Sequence, residues 1–472
     1  MKLLVKTFTG LEQVLARELR DLGATDVQQV KRGVIAEGKP RLLYRANLEL
    51  RTGLRVYSHL ADVEGDRPED LYASVGAIAW EDHLGTDGTL WVTSTAGHTP
   101  WVKNSMIVSL KTKDAIVDRL RSGDRRPNVD RERPDLRVHT YLHRGRGSVW
   151  LDSTGDPLFK RGYRLRTLEA PINEVLAAGI LQLAGYTATT PLVDPMCGSG
   201  TFAIEAARMA LRIPAQLDRQ FFAFMRWPDY DAAQWRLVRQ QAISRIHRGA
   251  IAPIIASDVE RRAVRYADRN VREAGLSGRI ELHEASFFDV SAPGDTGLVV
   301  MNPPYDERLP VRSGAHWYNE VGRALKHRWT GWEAWIVSGF EDGLKAVGLS
   351  PKQRIPLDNG GIPVELWQIP LFEGKREAHS EVLAPDDDPA SVSGSEGAAP
   401  TTPDVDAAGP MDDDDEASAK TERVDPTETA TDLAPAPSDR PAETGDVTEG
   451  DDEPGAPEAD TTPQESHETA RS

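Results

Sequence analysis

The chain of 472 residues has a single cysteine, Cys197. A disulfide framework and a zinc site made of several cysteines are therefore excluded, and we expect no metal site. The chain also lacks any run of about 18 apolar residues, and its first segment, MKLLVKTFTGLEQVLARELR, has no uninterrupted apolar stretch. These absences exclude a typical membrane-spanning helix and a typical secretory signal, so we expect a soluble, cytoplasmic protein.

The formal net charge of −18 combines two regions of opposite sign. Residues 1–376 hold 46 acidic and 52 basic side chains, which is a formal charge of +6. Residues 377–472 hold 28 acidic and 4 basic side chains, which is a formal charge of −24. A basic region joined to an acidic segment favours contact between the basic region and nucleic acid.

The sequence after Phe372 is rich in Pro, Ala, Asp, Glu, Thr and Ser, and it has few large apolar side chains. Burial of so little apolar surface cannot offset the conformational entropy lost on ordering. We therefore predict a disordered acidic tail over residues 373–472. Composition alone leaves its role open between solubility, which is favoured, and binding of a regulatory partner.

The region before residue 157 alternates strand-like and helical patterns, which indicates an α+β architecture. Apolar residues on one face predict a helix from Leu11 to Leu22 that ends at Gly23. A second α+β unit contains the strand-like segments TLWVTSTAG, LRVHTYLHRG and SVWLDSTG and the helical segment SMIVSLKTKDAIVDRLRSG. We divide this region into residues 1–45 and residues 46–156.

The stretch from Lys103 to Arg146 has 12 basic against 6 acidic side chains. Such an excess is typical of an RNA-binding surface, but it also occurs on a solvated face that binds nothing. The aromatic residues Trp101 and Tyr141 slightly favour RNA contact, although alternating aromatic residues more often belong to strand cores. Both interpretations stay open on charge alone.

From about residue 170 onward, strands alternate with helices, which predicts a parallel sheet with helices on both faces. We assign residues 157–372 to this α/β domain. Ligands of such sheets bind at the carboxyl ends of the strands, so the residues at those ends are the candidates for a functional site.

The first candidate motif is VDPMCGSGTFAIEAA, in which an apolar strand ends at Asp194 and a helix begins near Thr201. Gly198 and Gly200 allow a ligand to approach the backbone, and the helix amino terminus carries a positive partial charge. The loop is not a complete G-x-G-x-x-G dinucleotide motif, and the carboxylate at Asp194 suits a cationic or amino-bearing ligand. An ordinary strand-to-helix loop is the alternative.

Two further strands also end in acidic residues. Asp258 in IIASDVERR is placed to accept hydrogen bonds from ribose hydroxyls, or alternatively to cap the following helix. Phe288 and Asp289 in EASFFDV are placed to contact an adenine ring and its amino group, although Phe288 is equally suited to a hydrophobic core.

The fourth motif, VVMNPPYDERL, is the most informative. Pro303 and Pro304 cannot continue a central strand, so the chain leaves the sheet with a restricted backbone. This turn directs the Asn302 carboxamide and a prolyl carbonyl toward one point, beside the flat ring of Tyr305. The arrangement predicts binding of a planar exocyclic amine, whose nitrogen would then face an electrophile.

DPMCGSGTF, ASD, SFFD and NPPY together resemble, in order, the motifs of class I S-adenosylmethionine-dependent methyltransferases that act on exocyclic amines. YRANLELRTGLRV, DLYASVGAIAWEDHL and LFKRGYRLRTLEAPINEVLAAGIL resemble THUMP-domain RNA methyltransferases, and most of all the RlmL type, which forms N2-methylguanine in 23S rRNA. The resemblance covers about residues 1–372. It implies a ferredoxin-like part, a THUMP RNA-binding domain and a Rossmann-like catalytic domain. Bifunctional members carry a second catalytic domain downstream, where this chain has an acidic segment, so no second activity is expected.

The resemblance also implies roles for individual residues. The cofactor S-adenosyl-L-methionine would contact Asn173, Asp194, Gly198, Ser199, Gly200, Asp258, Phe288 and Asp289. The target base would be held by Asn302, Pro303, Pro304 and Tyr305. Lys160, Arg161 and Arg164 in FKRGYR join the two halves and are candidates for RNA phosphate contacts, with an ion-paired linker as the alternative.

Other functions remain possible at this point. A tRNA guanine-N2 methyltransferase would share every motif. NPPY also occurs in enzymes that methylate DNA adenine or protein glutamine, although the THUMP-like region argues against both. An RNA-binding assembly factor could keep the fold without catalysis. A nicotinamide-dependent dehydrogenase is the least favoured, because the glycine motif is incomplete and Asp258 follows it too distantly.

Overall fold

Two β-sheets organise the chain in the computed structural model, which describes residues 1–166, 171–304 and 314–372. Two of the sequence predictions, Tyr305 and the acidic tail over residues 373–472, lie outside the described residues. None of the helices in the described ranges is long and apolar enough to cross a lipid bilayer.

The first sheet has 8 strands in the order β2-β3-β1-β4-β8-β7-β5-β6. Its strands are β1 (Lys2–Lys6), β2 (Thr25–Val30), β3 (Gly33–Glu37), β4 (Arg55–Glu64), β5 (Thr89–Gly97), β6 (Asn128–Val129), β7 (Leu136–His143) and β8 (Arg146–Asp152). Strand β5 is parallel to β6 and β7, and the other neighbouring pairs are antiparallel. Because β4 pairs with both β1 and β8, one sheet continues through the two units that we separated at residue 45.

Four helices accompany this sheet: α1 (Glu12–Asp21), α2 (Arg41–Glu49), α3 (Pro68–Gly76) and α4 (Ser105–Leu120). Helix α1 confirms the prediction from the apolar spacing, because Val14, Leu15 and Leu19 lie buried on one face. Helix α4 begins where the Asn104 side chain accepts a hydrogen bond from the amide of Ile107.

The second sheet has 7 strands in the order β11-β10-β9-β12-β13-β15-β14. They are β9 (Leu192–Asp194), β10 (Ile254–Asp258), β11 (Glu281–Glu284), β12 (Leu298–Met301), β13 (Glu333–Ser338), β14 (Gln353–Asn359) and β15 (Ile362–Pro370). The predicted parallel pairing is confirmed for β9 to β13, whereas at one edge β14 and β15 form an antiparallel hairpin and β15 pairs antiparallel with β13. Gly360 and Gly361 both have positive φ, 64° and 89°, which allows the two-residue turn that such a hairpin needs.

The helices of this half are α5 (Glu174–Leu183), α6 (Thr201–Ala210), α7 (Ala232–Ser244), α8 (Arg261–Glu273), α9 (Gly314–Arg328) and α10 (Glu341–Ala346). Helices α6, α8 and α9 follow β9, β10 and β12 along the chain, as the strand and helix alternation predicts. Buried residues of α5, α6 and α8 pack with β9 and β10 in one hydrophobic core, while α9 packs on the core formed by β12 and β13.

The segment between α6 and β10 was not assigned from the sequence. Phe222 and Phe224 precede α7, and with Trp235 on α7 they enter the hydrophobic core of the first sheet. Tyr44 of α2 packs against Phe224 with ring centroids 4.8 Å apart. The α/β half therefore contributes part of the core of the amino-terminal half, and this contact holds the two halves together.

Candidate active site

The glycine-rich loop runs from Pro195 to Gly200, between β9 and α6. Gly198 and Gly200 have φ values of 52° and 86°, in the left-handed region that favours glycine. A Cβ atom on Gly200 would also lie 3.2 Å from the Ala267 side chain on α8. Backbone conformation and close packing therefore both select glycine at position 200, whereas a Cβ on Gly198 would meet open space.

Asp258, at the end of β10, ties this loop to the neighbouring strand. One carboxylate oxygen accepts a hydrogen bond from the Gly198 amide at 2.9 Å, and the other accepts one from the Glu260 amide at 2.9 Å. Each carboxylate oxygen has a second lone pair, so both can still accept a hydrogen bond from a ligand hydroxyl. Asp258 thus supports the loop and is also available to a ribose.

Asp194, at the end of β9, is 1% exposed, and neither of its carboxylate oxygens has a hydrogen-bond partner of good geometry among the described residues. Burial raises the pKa of this carboxyl well above its ordinary value, and the negative charge of Asp258 raises it further. The nearby Met196 amide has the opposite effect and lowers the pKa. A buried carboxylate without a partner is costly, so the site favours a ligand whose positive charge would compensate it.

The carboxyl ends of β9, β10, β11 and β12 enclose a cavity of about 440 Å³, which we call the strand-end cavity. Its volume lies in the range of small-molecule sites, about 300 to 1,000 Å³. The predicted residues in its wall are Gly198, Ser199, Asp258, Phe288, Asn302 and Pro304. The fold thus brings together in one cavity residues that are more than 100 positions apart in the sequence.

Five other predicted residues do not line this cavity. Asp194 is buried at the strand end, Gly200 packs against α8, and Pro303 is buried next to Asn302. Asp289 is exposed to solvent. Asn173 caps α5, because its side chain accepts a hydrogen bond from the amide of Val175 at 2.8 Å.

The three basic residues of FKRGYR have different environments, and the prediction of phosphate contact fits only Lys160. Lys160 is exposed and pairs with Asp156 at 3.2 Å. The Arg161 side chain is fully buried, lies 3.6 Å from the carboxylate of Glu205 and donates hydrogen bonds to backbone carbonyls. It is therefore a structural residue in this fold, because a buried guanidinium cannot reach a phosphate.

Arg164 supports the glycine-rich loop. Its guanidinium pairs with Glu174 at 2.7 Å and donates hydrogen bonds to the hydroxyls of Ser199 at 3.2 Å and Thr201 at 2.9 Å. The N–H groups of Arg164 thus bind the glycine-rich loop and α5. Arg164 therefore positions the loop that forms part of the cavity wall.

Sequence reasoning missed Asn270 and Trp317. Asn270 of α8 is buried and donates hydrogen bonds to the carbonyls of Ser199 and Arg166, both at 3.0 Å. Trp317 of α9 lines the strand-end cavity and meets Phe288 edge to face, with ring centroids 6.0 Å apart. A polar residue among the buried positions of α8 was the available signal for Asn270, whereas no local pattern marks Trp317 as a cavity residue.

Cys197 lies in the cavity wall as an inert thiol. Burial, together with the charges of Asp194 and Asp258, raises the pKa of this thiol well above its ordinary value. The neutral form is a poor nucleophile, so covalent catalysis by Cys197 is disfavoured. Among the described residues, no group of three or more His, Cys, Asp or Glu side chains is arranged to hold a metal ion.

Three family models match the chain in succession. The RlmL ferredoxin-like domain matches residues 2–57, the THUMP domain matches residues 66–152, and the RMKL-like methyltransferase domain matches residues 161–368.

Similar proteins agree with this succession. A protein of Synechocystis sp. named "Putative RNA methyltransferase" is 36% identical over 365 residues, which cover 77% of this chain and 95% of that protein. The ribosomal RNA large subunit methyltransferase K/L of Magnetococcus marinus is 39% identical over 373 residues. That match covers 76% of this chain but 51% of the relative, so the chain spans about half the length of the K/L enzyme.

The crystal structure of a "putative methyltransferase complexed with SAH" superposes with a TM-score of 0.72 at 30% identity, covering 79% of this chain and 99% of that one. The glycine-rich loop and the free lone pairs of Asp258 fit a nucleoside ligand of this kind, and the buried Asp194 carboxyl behind them fits a ligand that carries positive charge. The chain belongs to the RMKL-like family of S-adenosylmethionine-dependent methyltransferases that carry RlmL ferredoxin-like and THUMP domains.

Proposed function

We propose that this protein methylates the exocyclic N2 of a guanine in the RNA of the large ribosomal subunit. The K/L relative is named for that RNA, and the THUMP match supports an RNA substrate. The choice of guanine N2 rests on the resemblance to the RlmL type and on the NPPY sequence at residues 302–305.

The observation that carries the proposal is the position of Asn302 in the strand-end cavity. Asn302 follows β12, which lies beside β9, so its carboxamide shares a cavity wall with the glycine-rich loop. A base amine bound at Asn302 would thus lie next to a ligand held by Gly198 and Asp258. Methyl transfer requires this proximity of acceptor and donor more than it requires any other catalytic group.

When bound, S-adenosylmethionine supplies a methyl group on a positively charged sulfur, which is already a strong electrophile. The task of the protein is to bind and orient. Asp258 would accept hydrogen bonds from the ribose, and Phe288 would pack against the purine. The Asn302 carboxamide oxygen would accept a hydrogen bond from the guanine amine and so orient its nitrogen for methyl transfer. Tyr305, outside the described residues, is predicted to stack on the base.

The target guanine has to be unpaired when it enters the cavity. Inside an RNA helix the N2 amine is engaged in base pairing, so extrusion or a single-stranded context is required before Asn302 can bind it. No dedicated general base is needed, since the amine becomes acidic as it is methylated and water can take the proton.

The test uses full-length protein, unmodified large-subunit ribosomal RNA and isotope-labelled S-adenosylmethionine. Digestion to nucleosides and mass spectrometry should detect labelled N2-methylguanosine. The same RNA methylated beforehand is the control and should accept no further label. Label in N6-methyladenosine would refute the assignment to guanine, and transfer to tRNA in place of ribosomal RNA would refute the assignment of the substrate.

A further inference from the structure

A basic groove of about 960 Å³ lies outside the strand-end cavity. It is formed by three segments, residues 131–137, 155–162 and 218–226, together with Arg55. Eight basic and three acidic residues line it. We call it the arginine groove.

Half of the basic residues in the arginine groove have no carboxylate within ion-pair distance in the described part of the chain. Ion pairs are present for Arg55, Lys160, Arg161 and Arg226. Among the described residues, none is found for Arg131, Arg133, Arg137 and Arg219. Two of the three acidic residues are already paired, Asp156 with Lys160 and Asp218 with Arg208. The groove therefore keeps a net positive charge.

Neutral backbone carbonyls hold two of these arginines in place. Arg137 donates hydrogen bonds to the carbonyls of Arg131 at 3.1 Å and Glu132 at 2.6 Å. Arg219 donates to the carbonyls of Thr154 at 2.9 Å and Asp156 at 2.6 Å. A guanidinium fixed in this way keeps its full charge and loses little conformational entropy when an anion binds.

The charges of the groove act together on Asp156. Burial would raise the pKa of this carboxyl, but Lys160, Arg219 and Arg137 together hold it below its ordinary value. Burial lowers the pKa of Arg219 to about 10, so this side chain is still positively charged at neutral pH. The groove is therefore positive throughout the physiological pH range.

An exposed aromatic ring completes the groove. Phe221 is 43% exposed, and the guanidinium of Arg226 lies over its ring at 5.3 Å from the centroid. Cationic side chains beside an exposed aromatic ring are typical of surfaces that bind single-stranded nucleic acid, because the cations contact phosphates and the ring stacks on a base. Double-stranded RNA keeps its bases stacked inside the helix and gains nothing from Phe221.

The arginine groove ends close to the strand-end cavity. Its wall includes Gly162, two residues before Arg164, and two residues span at most about 7 Å. The Arg164 guanidinium contacts Ser199 in the wall of the strand-end cavity. A nucleic acid strand in the groove would thus lie within a few nucleotides of the catalytic residues.

We infer that the arginine groove binds the phosphate backbone of a single-stranded RNA segment, stacks one of its bases on Phe221, and leads that strand toward the strand-end cavity. This inference rests on the proposed RNA substrate and adds the path that the RNA takes. It assigns phosphate contacts to Arg131, Arg133 and Lys160, at the open side of the groove.

The first experiment measures how tightly the full chain binds a fluorescein-labelled oligouridine of about 12 nucleotides, a length within the range that single-strand binding sites cover. Fluorescence anisotropy is recorded at several salt concentrations. The double variant Arg133→Glu, Lys160→Glu should weaken binding at least about tenfold. It should also reduce the slope of log binding constant against log salt concentration by about 1 to 2, because fewer phosphates are contacted. The matched control Arg20→Glu, Arg248→Glu changes the charge equally at exposed positions outside the groove. Equal losses in both variants, or no loss in the first, would overturn the inference.

The second experiment replaces Phe221 by alanine, with Phe372→Ala as the control, because both rings are exposed to a similar degree. Phe221→Ala should weaken oligouridine binding about five- to tenfold, leave the salt slope unchanged and leave duplex RNA binding unaffected. Equal weakening for duplex RNA would overturn the stacking role. Tighter binding of an acidic peptide of the same charge would overturn RNA as the occupant. Oligouridine contains no guanine, so these results stand apart from the test of guanine methylation.

Discussion

The strand-end cavity and the arginine groove have opposite charge and are built in opposite ways. The cavity contains Asp258 in its wall and the buried Asp194 behind it, and its residues come from the ends of neighbouring parallel strands. The groove is lined by arginines from three separate segments and from β4, and backbone carbonyls hold two of them, Arg137 and Arg219. A site that favours a cationic small molecule and a site that favours a polyanion thus lie side by side, and their opposite charges attract different parts of the reacting pair.

The largest effect is expected for Asn302→Ala in the cavity. Removing the acceptor that orients the amine should lower the methyl-transfer rate by about two to three orders of magnitude. Cofactor affinity, measured by calorimetry, should stay within about twofold, because Asn302 is proposed to contact only the base. Asn319→Ala is the control, since the side chain of Asn319 donates to the Ala346 carbonyl. A large loss of cofactor affinity would contradict the division of roles within the cavity.

The next largest effect is expected in the segment between the two sites, where the adjacent residues Lys160 and Arg161 differ in burial. Arg161→Leu removes the ion-pair partner of the buried Glu205 carboxylate and should lower the free energy of unfolding by about 3 kcal/mol in urea titration. Lys160→Ala should change it by less than about 0.5 kcal/mol, because its pair with Asp156 is exposed. Equal stability of the two variants, with weaker RNA binding by the Arg161 variant, would place Arg161 among the phosphate contacts.

A smaller effect is expected for Asp258→Ala, which tests whether the two sites act separately. The variant loses the acceptor for Gly198 and Glu260 as well as for the ribose, so cofactor affinity should fall about 10- to 100-fold by calorimetry. Oligouridine binding in the arginine groove should not change. Asp268→Ala is the control, because this exposed carboxylate pairs with Arg272 on the surface of α8. A parallel loss of RNA binding would show that the two sites are coupled.

The smallest effect is expected for Asp194→Asn. The pKa of Asp194 is higher in the folded protein than in the unfolded chain. The folded protein therefore holds this proton more tightly, and the stability that it contributes is lost as the pH rises above about 4, where the unfolded chain ionises. The variant should therefore be more stable than the native protein by about 1 kcal/mol at neutral pH, with a difference that shrinks toward acidic pH. Its cofactor affinity should fall several-fold. Lower stability of the variant would contradict an uncompensated carboxylate at this position.

The sequence predicted the strand-end cavity better than the arginine groove, and the reason is physical. Asp258 and Asn302 each follow an apolar strand, and parallel strands of one sheet present their carboxyl ends at the same edge. Glycine and proline restrict the backbone locally, so the loops at Gly198 and Pro303 could also be read from the sequence. These inferences need only short-range information.

The sequence predictions failed where a residue's role depends on contacts with segments that are distant along the chain. Arg161 and Arg164 look alike in FKRGYR, yet the partners that decide their roles, Glu205 and Ser199, lie about 40 positions away. The hairpin of β14 and β15 depends on pairing with β13, which alternation of strands and helices does not reveal. The segment around α7 has no motif, and its place in the core of the first sheet depends on Tyr44 of α2.

By itself, the sequence determined the order of the domains, the α/β class of the catalytic half and the residue types at the strand ends, because periodicity and backbone restriction are local properties. Only the tertiary structure decided which arginines are buried and which remain charged in the groove. It also decided that Asn270 and Trp317 belong to the site. Burial and ion pairing depend on the side chains that long-range packing brings into contact, and no local pattern records those contacts.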